Sequence, residues 1–327
     1  IMQAIIRTKA GKEFSTMQVQ QLASPRVQAD EVKVRMKSSR INPVDMDLMK
    51  GMPFLRYKTP QIGGVDGAGT ILEVGANVKH FKVGDAVYFY RKFTDIGTWA
   101  EEITIKASNI ARVPAQIDLA EAGAIALPLL TAFDCLSQLG AKKGERILVH
   151  GAGGGVGFQA VQVAKKMGLY VVGTANQNDQ ALLKTAGLDR LIDYKNDSFA
   201  DVLKAHDVDY VLDVLGGETL QKSIALKPKK IVSVRYIEPK QMYKAGMNMP
   251  RLIQWIMKKS MRKFDKAAAQ NGVQLIGQVT GANGEMLQQA INFVSQDFVS
   301  RTYSTLSLSE IAQKGLSKTD IGKVILF

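Results

Sequence analysis

The stretch Arg146-Ile-Leu-Val-His-Gly-Ala-Gly-Gly-Gly-Val-Gly157 decides the fold of this chain. It opens as a short apolar strand and then places five glycines within seven residues. The segment that follows carries apolar residues at the spacing of one helix face: Val156, Ala160, Val163, Ala164 and Met167. After Gly168, where a helix is expected to end, residues 169–174 predict a second buried strand. The pattern predicts a strand-turn-helix-strand unit of about thirty residues, the size of a βαβ crossover.

The glycine turn also indicates chemistry. Ala152, Gly154 and Gly157 occupy the three key places of the dinucleotide fingerprint, with alanine at the first. The first place makes the tight turn, the second lets a pyrophosphate approach the backbone, and the third lets helix and strand pack closely. Backbone N–H groups at the helix N-terminus then attract the phosphates. The residues predicted to contact a cofactor here are Ala152, Gly153, Gly154, Gly155, Val156 and Gly157.

Composition sets the broad class. The 327 residues are enough for two domains, and 22% of them are charged, as in an ordinary soluble protein. Cys135 is the only cysteine, which excludes internal disulfides and a cysteine-based zinc site. Neither a secretory signal pattern nor an apolar run approaching ~20 residues is found, so a cytoplasmic location is expected. The net charge of +13 indicates anionic partners such as a phosphorylated cofactor, nucleic acid or anionic lipid.

The order of patterns along the chain predicts an α/β protein with two parts. Residues 2–110 alternate short strand-like runs with glycine-rich turns, which predicts a small antiparallel barrel. Residues 118–138 are helical in character and interrupted by Pro128. From residue 146 onward, short apolar strands alternate with helices, which predicts a doubly wound parallel sheet.

Several motifs in this order resemble the medium-chain dehydrogenase/reductase superfamily, and within it the zinc-free, zeta-crystallin-like quinone oxidoreductase branch. Besides the glycine turn, they include Ile41-Asn-Pro-Val-Asp45, Gly63-Gly-Val-Asp-Gly-Ala-Gly69, Gly97-Thr-Trp-Ala-Glu101, Leu127-Pro-Leu-Leu-Thr-Ala132 and Asp213-Val-Leu-Gly-Gly217. The resemblance implies a GroES-like barrel domain in two parts, residues 1–120 and 275–327, with a Rossmann domain over 121–274 between them. It also implies a homodimer formed through the last sheet strand near 272–280.

The zinc ligands of the alcohol dehydrogenase relatives are missing at the matching places. By resemblance these places hold Asn42, Val65 and Leu127. A catalytic zinc needs three protein ligands, and neither valine nor leucine can coordinate. Without a Lewis acid, hydride addition to a quinone or an α,β-unsaturated carbonyl is favoured, because the developing charge delocalises onto the acceptor. We therefore expect a zinc-free reductase; the alternative is a nucleotide-responsive, zeta-crystallin-like RNA-binding protein with little activity.

The end of the second strand indicates the cofactor. NAD sites usually carry an acidic residue there, whereas this chain has Ala175. By resemblance, Thr174 and Tyr194 face the 2′-phosphate of NADPH, and the place of the relatives' basic residue falls on Asn176, Gln177 or Asn178, all of them uncharged. NADPH is therefore expected, with NADH as second choice. After the fourth strand of the nucleotide domain, Gly216 and Gly217 are expected to let the backbone pass close to the ribose, and Leu215 and Gly216 are predicted to contact the cofactor.

The resemblance also implies the residues at the reacting end. Asn42 is expected beside the nicotinamide, where its amide can donate to the substrate oxygen, and Thr131 is expected to contact the nicotinamide. Asp45 is either catalytic or stabilises the Asn-Pro turn. His150 is expected to be packed rather than catalytic. An apolar or aromatic substrate is indicated by four residues of the 46–60 loop, Met46, Met49, Phe54 and Tyr57.

A basic segment, residues 240–266, holds eight lysines and arginines against Asp265 alone. It has an apolar stripe at helical spacing, with Trp255 on the flank: Met249, Leu252, Ile253, Ile256 and Met257. Three interpretations stay open. The segment is a surface helix at the edge of the cofactor cleft, a methionine-rich lid over the substrate, or a site of reversible attachment to an anionic membrane.

Overall fold

The computed structural model describes residues 1–9, 17–50, 59–244 and 246–327. Its strands are β1 Met2–Arg7, β2 Met17–Leu22, β3 Glu31–Arg40, β4 Gln61–Ile62, β5 Asp66–Val74, β6 Ala86–Tyr90, β7 Glu102–Lys106, β8 Ile110–Arg112, β9 Arg146–Val149, β10 Tyr170–Ala175, β11 Arg190–Asp193, β12 Tyr210–Asp213, β13 Lys230–Ser233, β14 Gln274–Gly277, β15 Thr305–Ser307 and β16 Val324–Leu326. Its α-helices are α1 Pro43–Lys50, α2 Leu119–Ser137, α3 Gly155–Lys166, α4 Gln180–Thr185, α5 Phe199–Val202, α6 Gly217–Ala225, α7 Pro239–Lys244, α8 Arg251–Asn271, α9 Gly284–Val294 and α10 Leu308–Lys314.

The chain forms two compact units. One comprises residues 1–127, 281–295 and 300–327, and the other comprises residues 128–280 and 296–299. The limits lie a few residues beyond the predicted boundaries after 120 and 274. Residues 296–299, predicted for the barrel domain, group with the inserted unit instead. The first boundary falls inside α2, where no change of composition marks it.

The inserted unit is built on a six-stranded parallel sheet in the order β11-β10-β9-β12-β13-β14. The predicted strand-turn-helix-strand unit is therefore confirmed as β9, α3 and β10, with β9 paired to β10 in parallel. The strand β14, at the predicted dimer strand, is an edge strand of this sheet. The order reverses between β9 and β12, since β10 and β11 lie on one side of β9 and β12 to β14 on the other.

The other unit contains antiparallel sheets, as predicted. A three-stranded sheet has the order β2-β1-β4, and a larger sheet runs β15-β16-β3-β5-β6-β8, with β7 also paired to β3. The one parallel pair among these strands, within the described residues, is β15 with β16. Alternating side chains of the strands bury a shared apolar core that includes Ile6, Val34, Ile71 and Phe89.

Helix α2 corrects the predicted interruption at Pro128, because the helix continues through it from Leu119 to Ser137. Proline lacks the N–H that would bond the carbonyl of Ala124 four residues earlier. Nη1 of Arg40 donates to that carbonyl instead, at 3.3 Å. The helix is long and apolar enough to cross a membrane, but 67% of its apolar stretch is buried inside the protein, as in the core helix of a globular fold.

Candidate functional site

The glycine turn lies at the carboxyl end of β9, where the strand order of the parallel sheet reverses. The loop that follows β12, at Leu215 and Gly216, leaves the neighbouring strand at the same end. In open parallel sheets, ligands bind in the crevice outside the strand ends at such a switch point. The fold therefore brings two of the predicted cofactor segments to the place where a dinucleotide is expected.

The turn itself has the geometry that a pyrophosphate requires. A Cβ on Gly157 would collide with the carbonyl oxygen of Gly151, so only glycine allows α3 to start this close to β9. Gly151 has φ +62°, which favours glycine. Gly154 is the N-cap of α3 and no side chain caps the helix there. The backbone N–H groups of the first helical turn therefore face a position suited to an anion, so the turn fits a dinucleotide phosphate.

Thr174 holds this turn in place through two hydrogen bonds. The side chain is 4% exposed, and its hydroxyl accepts a hydrogen bond from the Gly151 N–H at 3.1 Å. The N–H of Ala152 also bonds the Thr174 carbonyl, at 2.9 Å. The buried hydroxyl therefore helps to hold the turn, and the contact of Thr174 with a 2′-phosphate, implied by resemblance, stays a prediction.

His150 is packed rather than catalytic, as expected from the sequence. It is 1% exposed, and its two ring nitrogens lie 3.3 Å from Oγ1 of Thr174 and 2.8 Å from Oγ of Ser223. Burial lowers the pKa of His150 from 6.5 to about 4, against the opposing effect of the Asp213 carboxylate. The neutral imidazole thus links β9 to β10 and α6.

Asp213 organises the second cofactor segment and was not singled out from the sequence. It is fully buried at the end of β12, where Oδ1 accepts hydrogen bonds from the N–H groups of Leu215 and Gly216 at 3.1 and 2.9 Å. Oδ2 accepts the Ser233 hydroxyl at 2.6 Å. Gly216 has φ +70°, and a Cβ there would lie 2.6 Å from Cβ of Arg235. An aspartate that ends a buried strand just before a Gly-Gly pair is the signal that could have identified this residue.

The segment after β10 differs from a usual NAD site. Ala175 is the last residue of β10 and is buried. Asn176 uses its side chain to accept the N–H of Asn178, so it caps the following turn. Tyr194 is 61% exposed, and its contact with the 2′-phosphate stays a prediction. A carboxylate is nevertheless present nearby, because Asp179 places Oδ2 in the space that a Cβ on Gly153 would fill.

The other unit holds a buried polar cluster of Asn42, Asp45 and Asp66. Asn42 is 3% exposed, and both carboxyl groups are fully buried. Oδ2 of Asp45 accepts the Asn42 N–H at 2.7 Å, a contact that fits the turn-stabilising alternative for Asp45. Nδ2 of Asn42 makes a long contact, 3.5 Å, with the carbonyl oxygen of Arg40, and the Asn42 side chain also hydrogen-bonds the carboxyl groups of Asp66 and Asp45. The amide is therefore engaged within this polar cluster.

Burial controls the charge of both carboxyl groups. It raises the pKa of Asp66 from 3.8 to about 7, opposed by the nearby Asn42 amide and Arg40 guanidinium. Burial and the neighbouring Asp66 raise the pKa of Asp45 well above its usual value, opposed by the bond from Asn42. Within the described structure, Oδ1 of each group has no hydrogen-bond partner. Protonation of one or both carboxyl groups relieves this cost.

The side chains at the places that the resemblance assigns to zinc ligands do not fit a catalytic zinc. Val65 is fully buried and apolar, and Leu127 contributes only its backbone N–H, which lies 3.3 Å from Oδ2 of Asp66. Across residues 1–9, 17–50, 59–244 and 246–327, no group of three or more His, Cys, Asp or Glu side chains is arranged to hold a metal. The resemblance assigns two of the three zinc-ligand places to these apolar side chains, which cannot coordinate the ion, and the absence of zinc stays a prediction.

The remaining predicted residues are only partly placed. Thr131 is 7% exposed in α2, and its contact with the nicotinamide stays a prediction. In the predicted substrate loop, Met46 is buried in α1. Phe54, Tyr57 and the side chain of Met49 lie outside the described residues.

Two domain families match the chain. The alcohol dehydrogenase GroES-like domain matches residues 28–115, and the domain described as zinc-binding dehydrogenase matches residues 155–230. The first covers the antiparallel strands from β3 to β8, and the second covers the elements from α3 to α6 in the unit with the parallel sheet. The GroES-like and Rossmann parts of the predicted fold are thereby confirmed.

Individual proteins are similar over most of the chain. A spinach chloroplastic quinone-oxidoreductase homolog is 31% identical over 66% of this chain and 69% of its own length. A tomato 2-methylene-furan-3-one reductase is 33% identical over 58% of this chain, and the match spans 51% of the tomato protein. The solved structure of a quinone oxidoreductase from Coxiella burnetii superposes with a TM-score of 0.80 and 25% identity, over 100% of this chain and 99% of that one. The RNA-binding alternative gains no support from these relatives.

Proposed function

The chain belongs to the quinone oxidoreductase-like family of medium-chain dehydrogenases/reductases, and we propose that it transfers hydride from NADPH to a quinone or an α,β-unsaturated carbonyl without zinc. The observation that carries the proposal is the uncapped glycine turn at the switch point of the parallel sheet. The tomato relative is named for the reduction of an enone-like furanone, and the spinach relative for quinones.

The cofactor supplies the hydride when bound, and this chain supplies its binding site. The N–H groups at the start of α3 hold the pyrophosphate, and Thr174 and His150 keep the turn in place. Asp213 fixes the backbone of Leu215 and Gly216 beside the ribose. NADPH is preferred because the end of β10 carries Ala175, and the exposed Tyr194 is available to the 2′-phosphate.

Asn42 is proposed to act on the acceptor. Its amide is held in place by the carboxyl groups of Asp45 and Asp66, and from there it is proposed to donate to the oxygen on which negative charge develops. Asp45 is a positioning residue, since its carboxyl group holds the N–H of Asn42. With valine and leucine at ligand places, stabilisation by a metal is replaced by delocalisation within the acceptor itself. Thr131 is proposed to contact the nicotinamide, and a cytoplasmic, homodimeric enzyme is proposed.

A substrate panel tests this function. The purified protein is mixed with NADPH and a set of ortho-quinones, para-quinones, linear enones and plain ketones, and the loss of NADPH absorbance is followed. We expect turnover with quinones or enones and none with plain ketones, because only the conjugated acceptors spread the charge. Preference for plain ketones over all conjugated acceptors would contradict the proposal. NADH in place of NADPH measures the cofactor preference in the same assay.

A further inference from the structure

We propose that the exposed face of α8 docks the protein on the surface of an anionic lipid bilayer. This surface, called the docking face below, consists of Leu252, Trp255, Ile256, Lys259, Lys263 and Lys266. The proposed binding to a bilayer goes beyond the proposed reaction. Only its use, access to quinones dissolved in the bilayer, rests on that reaction.

Helix α8 has two faces of different character. Phe264, Ala267 and Ala268 are buried in the core of the inserted unit, where α8 packs against α6. The docking face lies on the opposite side, because its members recur at intervals of three and four residues and all are exposed. The predicted apolar stripe is thereby corrected: Leu252 and Ile256 point away from the protein, whereas Ile253 and Met257 are half-buried.

The first two turns of the docking face are apolar. Leu252 is 65% exposed, Trp255 is 58% exposed and Ile256 is 47% exposed. Tyr243, in the preceding helix α7, is 70% exposed. Single exposed apolar residues are ordinary, but three large ones at positions i, i+3 and i+4 form a contiguous patch. Such a patch indicates a surface that is covered by something apolar.

The following turns are strongly basic. Lys259, Lys263 and Lys266 lie on the docking face, and Arg251, Lys258 and Arg262 lie on its flanks. The acid in this stretch, Asp265, accepts the hydroxyl of Tyr236. No carboxylate of the described residues forms an ion pair with any of these six cations, whereas lysines elsewhere in the unit do, such as Lys165 with Asp189. Lys259 and Lys263 lie over the rings of Trp255 and Phe264, at 5.1 and 4.7 Å from the ring centroids, and these contacts leave their positive charge unneutralised. The charge of the six cations is therefore available to an external anionic surface.

This combination selects among possible partners. An amphipathic helix with aromatic and aliphatic residues beside lysines lies in the interface of an anionic membrane, with its apolar side chains among the acyl chains. RNA would neutralise the lysines but leave Leu252 and Ile256 in water. A second copy docked through the same face would bring two sets of unpaired cations together. An anionic lipid bilayer would neutralise the lysines and would also cover the exposed apolar side chains.

Vesicle sedimentation tests the proposal with the full chain. The protein is mixed with vesicles of phosphatidylcholine alone or with 30% phosphatidylglycerol, at low and at physiological salt. We expect binding to the anionic vesicles only, weakened by salt. Tryptophan fluorescence gives a second readout, because Trp99 is fully buried and Trp255 is exposed. A blue shift on binding therefore reports the transfer of Trp255 into the bilayer.

Matched variants assign the binding to the docking face. Lys259→Glu with Lys263→Glu is expected to weaken binding at least about tenfold, since each lysine near an anionic surface contributes roughly fivefold. Lys79→Glu with Lys82→Glu changes the net charge equally at exposed positions elsewhere and should bind like the wild type. Trp255→Ser should weaken binding and abolish the blue shift, whereas Val83→Ser, at a 61% exposed position, should change neither.

Four outcomes would overturn the proposal: no binding to anionic vesicles at low salt, equal loss of binding in both charge variants, no blue shift on binding, or retention on RNA in place of vesicles. Because the vesicle assay contains no cofactor or substrate, it is independent of hydride transfer. An inactive protein that binds vesicles would contradict the proposed function alone, and an active protein that ignores them would contradict the docking face alone.

Discussion

Oδ2 of Asp179 lies against Gly153, in the space that a Cβ at position 153 would occupy. The 3-10 turn of residues 177–179, which follows β10, brings this carboxylate back to the phosphate-binding turn. Ala175 removes the acidic group from the usual NAD position, yet Asp179 returns a negative charge to the same region from four residues further on. A negative charge near a bound 2′-phosphate would oppose it, so Asp179 is expected to limit the proposed preference for NADPH.

Replacing Asp179 by Asn should raise the preference for NADPH over NADH by about fivefold or more. The isosteric amide removes one negative charge close to the expected phosphate without changing shape, and a single charge at this range is worth on the order of 1 kcal/mol. The two dissociation constants are measured by quenching of protein fluorescence.

Asp201→Asn is the control for this prediction, because Asp201 is an exposed aspartate of the same unit, in α5. It should leave the ratio of the two constants unchanged. An Asp179→Asn ratio equal to that of the control would mean that Asp179 does not face the adenosine phosphate.

His150 should make the protein more sensitive to acid. Its pKa is lowered to about 4 in the folded state against 6.5 when unfolded, so between these values the unfolded chain binds the proton. The stability that the neutral, folded His150 provides is fully present above pH 6.5 and is lost as the pH falls toward 4. Lowering the pH from 7 to 5 should therefore reduce the free energy of unfolding by about 2 kcal/mol through His150. Urea unfolding of the wild type and of His150→Gln at both pH values measures this loss of stability. An identical pH dependence in the two proteins would refute the prediction.

Asp66 affects the pH dependence of stability in the direction opposite to that of His150. Its folded pKa of about 7 exceeds the usual 3.8, so the folded state holds the proton. The resulting stabilisation is complete below pH 3.8 and is lost as the pH rises through 7. Asp66→Asn keeps the neutral form, so its stability relative to wild type should grow by about 1 kcal/mol between pH 6 and pH 8. A constant difference between the two unfolding curves over this range would argue for an ionised Asp66.

Asn42→Ala should lower kcat by roughly tenfold to a hundredfold, because it removes a donor to the charge that develops on the acceptor. The dissociation constant for NADPH should stay unchanged, since the glycine turn belongs to the other unit. Asn109→Ala, in the turn between β7 and β8, is the control and should be fully active. A variant at position 42 that loses only affinity for the acceptor, with kcat intact, would assign Asn42 to binding.

The sequence predicted most reliably what depends on local pattern. The βαβ unit around the glycine turn follows from the period of its apolar residues and from its glycines, and both are visible in the chain. Three features needed the folded molecule. Pro128 stays inside a helix because Arg40, far away in sequence, takes over the carbonyl of Ala124. The exposed face of α8 depends on which side packs against α6. The position of Asp179 depends on the turn that follows β10.

The most direct test of the central claim is the turnover of protein stripped of metal. After treatment with a chelator, metal content is determined by mass spectrometry, and the transfer of deuterium from deuterated NADPH to a quinone or enone is followed. Undiminished transfer by protein with no stoichiometric metal is the predicted result. Loss of transfer on chelation, with recovery on addition of Zn²⁺, would contradict the account.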